Sequence, residues 1–209
     1  AMTVDEVIRH RRTIRRFTDE PVSSVELREL LSLAVMAPNV ANRQMWRFIV
    51  ITNPDLRRML ADVVRRRMDE VAKWPELTGQ AQRLMALREQ AMHFAAAPAV
   101  ICCINLGYRT ALDTALVEHG MKHWDVASLF GYPDIQSISA VLAFFTLAAE
   151  ARGYGTCWLT APLLAKKDLQ SALELKPGEE ITALLTLGRP AETPLPKERK
   201  RIDEIIEWR

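Results

Sequence analysis

The chain has 209 residues, 49% of them hydrophobic and 26% charged, with a formal net charge of +2. That apolar content suffices for one sizeable core, so residues 1–209 are expected to form a single domain. The near-even charge balance argues against a grossly basic nucleic-acid binder or an acidic disordered tail, and no apolar run approaches the roughly 20 residues a bilayer requires.

The first ten residues, with Asp5, Glu6 and Arg9, contain no signal-peptide core, which predicts a cytoplasmic address. Thr3-Val-Asp-Glu6 has the form of a capping box and predicts a short helix running into the basic stretch His10–Arg16. A second box, Ser23-Ser-Val-Glu26, opens a helix with Leu27, Leu30, Leu31 and Ala34 on one face. That helix should stop at Ala37-Pro38, because the residue before a proline is pushed out of helical geometry. Phe48–Thr52 is short, β-branched and continuous, hence a buried strand. Asn53-Pro54-Asp55 restarts a helix, residues 73–95 are helical again behind breaks at Pro75 and Gly79, and Ala99–Asn105 reads as a second buried strand.

Leu106 to Pro133 has weak periodicity and three glycines, and is expected to be a loop-rich excursion of the kind that carries specificity. Ile135–Ala151 is the most apolar helix, with Ile138, Val141, Leu142, Phe145, Ala148 and Ala149 in one stripe and Ala140, Ala143 and Phe144 widening it. Such a helix must be covered on nearly all sides, which suggests a subunit interface as well as a core. Gly153 and Gly155 mark its exit, Cys157–Thr160 is a brief strand, Lys166–Leu175 a helix and Ile181–Leu187 a last strand. Residues 188–209 form an extended arm ending in the amphipathic Ile202–Trp208, which embraces a neighbour or packs on its own subunit. Helices and strands mix without the regular alternation of a doubly wound sheet. The fold class is therefore α+β with a central mixed or antiparallel sheet.

The three cysteines, Cys102, Cys103 and Cys157, fit neither a disulfide framework nor a metal-ligand spacing and are expected to be buried thiols. His119 and His123 could share a metal only on a continuous helix, which Gly120 weakens, so they read as solvated histidines. Two segments could carry chemistry. In Arg11-Arg12-Thr13-Ile14-Arg15-Arg16, several guanidinium groups and a hydroxyl could bind a phosphate through charge-assisted bonds, and in extended chain Arg11, Thr13 and Arg15 would face one way. Taken alone, the segment reads first as a solvated basic turn. In Ala37–Trp46, the amides of Asn39, Asn42 and Gln44 could read the edge of a planar heterocycle, although turn and cap chemistry accounts for them equally well.

Order and combination decide what the single segments leave open. Arg-Arg-Thr-Ile-Arg-Arg-Phe17, then Ala-Pro-Asn-Val-Ala-Asn-Arg-Gln-Met-Trp-Arg-Phe48, then Ala97-Pro98, Asp134 before an alanine-rich helix, Gly-Tyr-Gly-Thr-Cys-Trp158, Leu187-Gly-Arg-Pro190 and a charged tail ending in Trp208 together resemble the nitroreductase family. The match runs nearly end to end and is poorest over 66–95 and 106–133, a middle that would cover the substrate.

The resemblance implies an intertwined homodimer whose 188–209 arms wrap the partner, with FMN at the seam and NADH or NADPH as electron donor. It places Arg11, Arg12, Thr13 and Arg15 on the flavin phosphate and pyrimidine edge, and Pro38, Asn39, Asn42 and Gln44 of the opposite subunit on the ring. Thr160 and Ala161 would lie near flavin N5, and Lys197 and Arg199 on the phosphate. Asn39 stands where the family pattern has Ser, Thr13 likewise, and Met45 stands in place of Pro. A positive group at N1 and O2, for which Arg15 is the choice, would stabilise the anionic reduced flavin. The cofactor carries the chemistry and the protein orients it, so no side chain is assigned as catalytic acid or base. The implied activity is ping-pong reduction of an electron-poor small molecule: a nitroaromatic, quinone or activated alkene. A non-catalytic flavin- or ligand-binding regulator, a reductive dehalogenase and a flavin-consuming enzyme are the alternatives, and neither nucleic acid nor membrane is an expected partner.

Overall fold

A computed structural model describes residues 2–209. Its centre is a four-stranded sheet, antiparallel throughout, of β1 (Trp46–Ile51), β2 (Ala99–Asn105), β3 (Gly155–Leu159) and β4 (Glu180–Gly188) in the order β1-β2-β4-β3. Eight α-helices surround it among the described residues: α1 (Val4–His10), α2 (Ser24–Ala34), α3 (Pro54–Val71), α4 (Ala81–Met92), α5 (Ala111–Glu118), α6 (His123–Leu129), α7 (Pro133–Ala151) and α8 (Lys166–Ala172). The fold is α+β.

Side chains alternate across a strand, and both inner strands feed two cores through that alternation. Ala99, Ile101 and Cys103 of β2, with Ala183, Leu185 and Leu187 of β4, meet α2 and α7 on one face. Val100, Cys102 and Ile104, with Ile181 and Leu184, meet α3 and the α8 region on the other. Burial on both faces explains why β2 reads as an unbroken apolar run. Cys102 and Cys103 consequently point to opposite cores, and burial pushes both thiols up to about 12, far from the reactive thiolate form.

The caps follow the sequence closely. The Thr3–Glu6 capping box is complete. At α2 only half of the second box forms: Ser23 Oγ accepts from the Glu26 N–H, while the Glu26 carboxylate turns to Arg152 at 3.5 Å. The expected loop between Leu106 and Pro133 is instead helical over α5 and α6. Thr110 and Asp113 form a reciprocal capping box that starts α5, a short signal masked by the glycines around it. His119 caps the end of α5 and His123 opens α6, on either side of Gly120 at φ 98°, so the two do not share one helix face. α7 begins two residues earlier than expected, and at 19 residues it is long and apolar enough to cross a membrane by length and composition alone. Here its Ile138, Val141, Leu142, Phe145 and Ala149 are buried against the sheet and α2.

Gly153 and Gly155 divide the work at the exit of α7. Gly153 adopts φ 74° and its N–H bonds the Glu150 carbonyl at 2.9 Å, the left-handed stop anticipated from sequence. Gly155 is extended, and its missing side chain makes room for another segment: a Cβ there would lie 2.6 Å from Ile14 Cγ1 and 2.7 Å from Ile14 Cβ. Ile14 is buried in that gap, its N–H bonds the Thr156 carbonyl at 2.9 Å, and Thr13 bridges Thr156 in parallel. The basic segment thus runs along the outer edge of β3. Beyond Glu192 the arm is largely exposed, with a single 3₁₀ turn at Ile202–Glu204 in place of the expected amphipathic element.

Gly155→Ala should lower the unfolding free energy by about 1–3 kcal/mol through overpacking against Ile14. Urea unfolding checks this, and an unchanged midpoint would mean that Ile14 is not held in the gap.

Candidate functional site

Seating Ile14 inward turns its neighbours Thr13 and Arg15 outward by strand alternation. The α1 helix ends one turn before, where Arg11 takes an extended backbone (φ −52°, ψ 128°). Among the described residues, neither the Arg11 nor the Arg15 guanidinium has an acceptor within hydrogen-bond or ion-pair distance. Arg12 behaves differently: its Nη1 donates to the carbonyls of Arg9, His10 and Arg11 at 2.6–3.0 Å, satisfying the free C-terminal end of α1. Sequence order alone did not separate the helix-capping arginine from its neighbours.

Several groups that the sequence did not mark gather around Arg15. Cys157, buried on β3, has its Sγ 3.7 Å from His93 Nε2, and the Arg15 charge reaches both. Burial pushes the Cys157 thiol up, Arg15 pulling it partly back, and burial with Arg15 lowers the basicity of His93. Both are therefore neutral at neutral pH, and His93 Nδ1 is buried without a partner. Glu192, at the root of the arm, accepts from the main-chain N–H groups of Arg15 and Arg16 at 2.5 and 3.0 Å and from Arg16 Nε at 3.2 Å. The Arg15 main-chain bond is the largest cause holding its carboxyl below the usual range. Because the folded-state value is depressed, these contacts persist at neutral pH and are lost only as pH falls through that value. None of the three has a local sequence signature; only the fold brings them together.

Thr160 and Ala161 follow β3 directly, Ala161 opening a 3₁₀ turn in which Pro162 has no N–H and the Leu163 N–H bonds the Thr160 carbonyl at 2.9 Å. They extend the same sheet edge that the basic segment lines. The Pro38–Gln44 loop lies at the other edge, leading into β1. There Ala41, Asn42 and Gln44 all have left-handed φ, 48°, 49° and 48°, uncommon for non-glycine residues. Asn39 Oδ1 accepts from the Gln44 N–H at 2.9 Å and Ser137 Oγ from the Val40 N–H at 3.0 Å, bracing the loop while the side chains of Asn42 and Gln44 stay exposed. With strands about 4.8 Å apart, three sheet intervals separate the two edges by roughly 14 Å. One chain does not bring the two clusters together. Lys197 and Arg199 lie on the exposed arm, Arg199 bonding only main-chain carbonyls of Lys197 and Glu198.

A cleft of about 810 Å³ opens between the end of β2, α5, α6 and the start of α7, lined in part by Asn105, Tyr108, Arg109, His123 and Phe130. Among the large apolar residues of the poorly matching middle, Phe130 lines this cleft. Trp74 and Met85 flank grooves beside α4, Met92 packs on the core, and Trp124 stacks on Tyr132 at 5.2 Å while 70% exposed.

The basic edge fits a phosphate-bearing, planar cofactor. It offers two unpaired guanidinium groups for an anion, a neutral wall beside them, an orphaned ring nitrogen and a backbone turn directly after β3. Comparison with known proteins agrees on the kind of fold. A protein from Thermus thermophilus called NADH dehydrogenase is 28% identical over 206 residues, covering 95% of this chain and 92% of its own. A 5,6-dimethylbenzimidazole synthase from Rhodospirillum rubrum is 29% identical over 202 residues, covering 93% and 85%. The solved structure of a BluB-like flavoprotein from Clostridium difficile 630 superposes with a TM-score of 0.89 at 26% identity, covering 100% of this chain and 99% of that one. The Nitroreductase family profile matches residues 8–189, and the chain belongs to that family.

Proposed function

We propose that the chain is an FMN-dependent oxidoreductase that works as a homodimer. The observation that carries the reading is the pair of unpartnered guanidinium groups, Arg11 and Arg15, held on the outer edge of β3 by Ile14. Two cations on one side of an extended segment, neither guanidinium with a carboxylate at ion-pair distance among the described residues, are a ready site for a phosphate. Thr13 adds a hydroxyl between them, and Arg12 holds the end of α1 so that the segment stays extended. Lys197 and Arg199, free of carboxylate partners among the described residues, would close on the same anion. Thr160 and Ala161 present backbone where the ring system would run.

FMN bound there would take a hydride from NADH or NADPH and give it to an electron-poor small molecule such as a nitroaromatic, quinone or activated alkene. The residues orient it: Arg11 and Arg15 hold its phosphate, and neutral Cys157 and His93 add no competing charge behind it.

The dimer follows from the same geometry. Pro38, Asn39, Asn42 and Gln44 lie too far across the sheet to touch a ring held at β3 of their own chain, so they serve the site of a second copy. The arm supports this, because it exposes Leu195 (85%) and Trp208 (89%) together with Ile202, Ile205 and Ile206. Apolar groups in that number on one segment call for cover, and a second copy supplies it.

A second reading, in which the reduced flavin is itself consumed, is favoured by the likeness to the BluB-like flavoprotein and the 5,6-dimethylbenzimidazole synthase. The two readings part in one experiment. Purified protein should carry the visible bands of oxidised flavin and bleach when NADH or NADPH is added anaerobically. Readmitted air then restores the bands if the flavin is a cofactor and leaves them lost if it is substrate. A colourless protein that takes up no FMN would refute both.

Arg11→Ala and Arg15→Ala should each weaken FMN binding by about 10-fold or more, the usual scale for a charge-assisted contact. Flavin fluorescence titration measures this, and two unaffected variants would move the phosphate elsewhere. Deleting residues 193–209 should give a monomer with low flavin occupancy, read by light scattering and absorbance; a stable, flavin-loaded dimer would contradict the role given to the arm.

A further inference from the structure

The N–H groups between Ile14 and Thr18 are unevenly served. Ile14 bonds the Thr156 carbonyl and Thr18 the Arg189 carbonyl, both at 2.9 Å. Between them, the Arg15 and Arg16 N–H groups have no main-chain acceptor among the described residues, and both point at one carboxylate oxygen of Glu192, at 2.5 and 3.0 Å. The other oxygen takes Arg16 Nε at 3.2 Å, and the Glu192 side chain is only 18% exposed. One residue away, the Ala191 N–H bonds the Arg16 carbonyl at 2.9 Å. The arm's root and the basic segment are thus sewn together, with Glu192 as the one side chain that makes three of the stitches.

This has a geometric consequence. Lys197 is five residues beyond Glu192, so an extended chain lets it stray at most about 18 Å from the anchor. With Glu192 fixed, both halves of a cationic clamp, Arg11 and Arg15 from the segment and Lys197 and Arg199 from the arm, start from one anchor and can be brought to one anion. A carboxylate near an anion site would ordinarily oppose binding. Here two amides and a guanidinium take up its oxygens, which offsets much of that charge.

We propose that Glu192 is a positioning residue for the phosphate of the bound flavin: it fixes the arm to the basic segment so that the two halves of the clamp converge. The inference rests on the flavin-binding reading above. Glu192 touches neither ring nor phosphate in this role and acts through the groups it holds.

The test compares FMN with riboflavin, which lacks the phosphate, on the full-length wild type, Glu192→Ala and Glu192→Gln, each followed by flavin fluorescence quenching. Glu192→Ala should weaken FMN by about 10-fold and leave riboflavin within about 2-fold, since the lost contacts are charge-assisted bonds acting on the phosphate clamp alone. Glu192→Gln keeps an oxygen for the two amides and should recover most of the FMN affinity. A general structural defect would lower both ligands together, and that result, or no change for either, overturns the proposal. If instead the wild type binds neither flavin, the flavin-binding reading itself fails and takes this inference with it. A wild type that binds FMN beside variants that treat FMN and riboflavin alike sinks the Glu192 role alone.

Discussion

The contact between Ile14 and Gly155 is small in area, yet the candidate site depends on it. Any side chain at 155 would overlap Ile14, and Ile14 seated in that gap, with its N–H on the Thr156 carbonyl, lays the basic segment against β3. Strand alternation then does the sorting: the buried isoleucine commits Thr13 and Arg15 to the outside, where their polar groups meet solvent or a ligand. A similar close approach recurs at Gly188, where a Cβ would meet Pro98 Cδ at 2.7 Å and Phe17 Cδ1 at 2.9 Å. Two glycines on neighbouring strands therefore admit the two ends of one basic segment. Burying a single isoleucine is worth a few kcal/mol at most, but it decides the direction in which several charges point.

The sheet converts that local choice into a division of labour. With both faces of β2 and β4 buried, only the two edges are open to other chemistry. The β3 edge is basic and lined by backbone from Thr160 onward. The β1 edge is fed by a loop of exposed amides. Neither edge faces the other within one chain, and in the dimeric reading a ligand that needs both lies between copies. The dimeric reading of the site rests on this spacing as well as on the exposed arm.

Much of the fold was legible because its signals are local. Thr3 with Glu6, Asn53 before Pro54 and the apolar run Ala99–Asn105 each fix an element by themselves. The misreading of 106–133 had a local cause too: Gly107, Gly120 and Gly131 punctuate short helices, and glycine spacing outweighed the Thr110–Asp113 box. Site residues divide along the same line. Arg11, Thr13 and Arg15 share one extended segment, and the i, i+2 rule groups them without a structure. His93, Cys157 and Glu192 come from the end of a helix, a strand and the arm, and no pattern in a single sequence joins residues so far apart. Gly155 shows a further limit. A glycine after a helix is read as a turn, whereas here its value is the absence of a Cβ beside a residue 141 positions earlier, a relation that only packing reveals.

Two costs in the isolated chain point the same way. Left-handed backbone at Ala41, Asn42 and Gln44 carries a penalty of roughly 1 kcal/mol or more for each residue, least at Asn42. The bonds from Gln44 to Asn39 and from Val40 to Ser137 return about 1 kcal/mol apiece, leaving the loop near balance at best. The arm meanwhile holds Leu195, Ile202, Ile205, Ile206 and Trp208 in water, forgoing on the order of 1.5–3 kcal/mol for each large apolar side chain that could be buried. A chain folding only for itself would relax the loop and collapse the arm. Both features become favourable together if the loop's amides meet a ligand held by another copy and the arm lies on that copy's surface. The strain on one edge of the sheet and the exposure beyond the other then have a single origin in assembly, with the ligand at the seam as the element common to both.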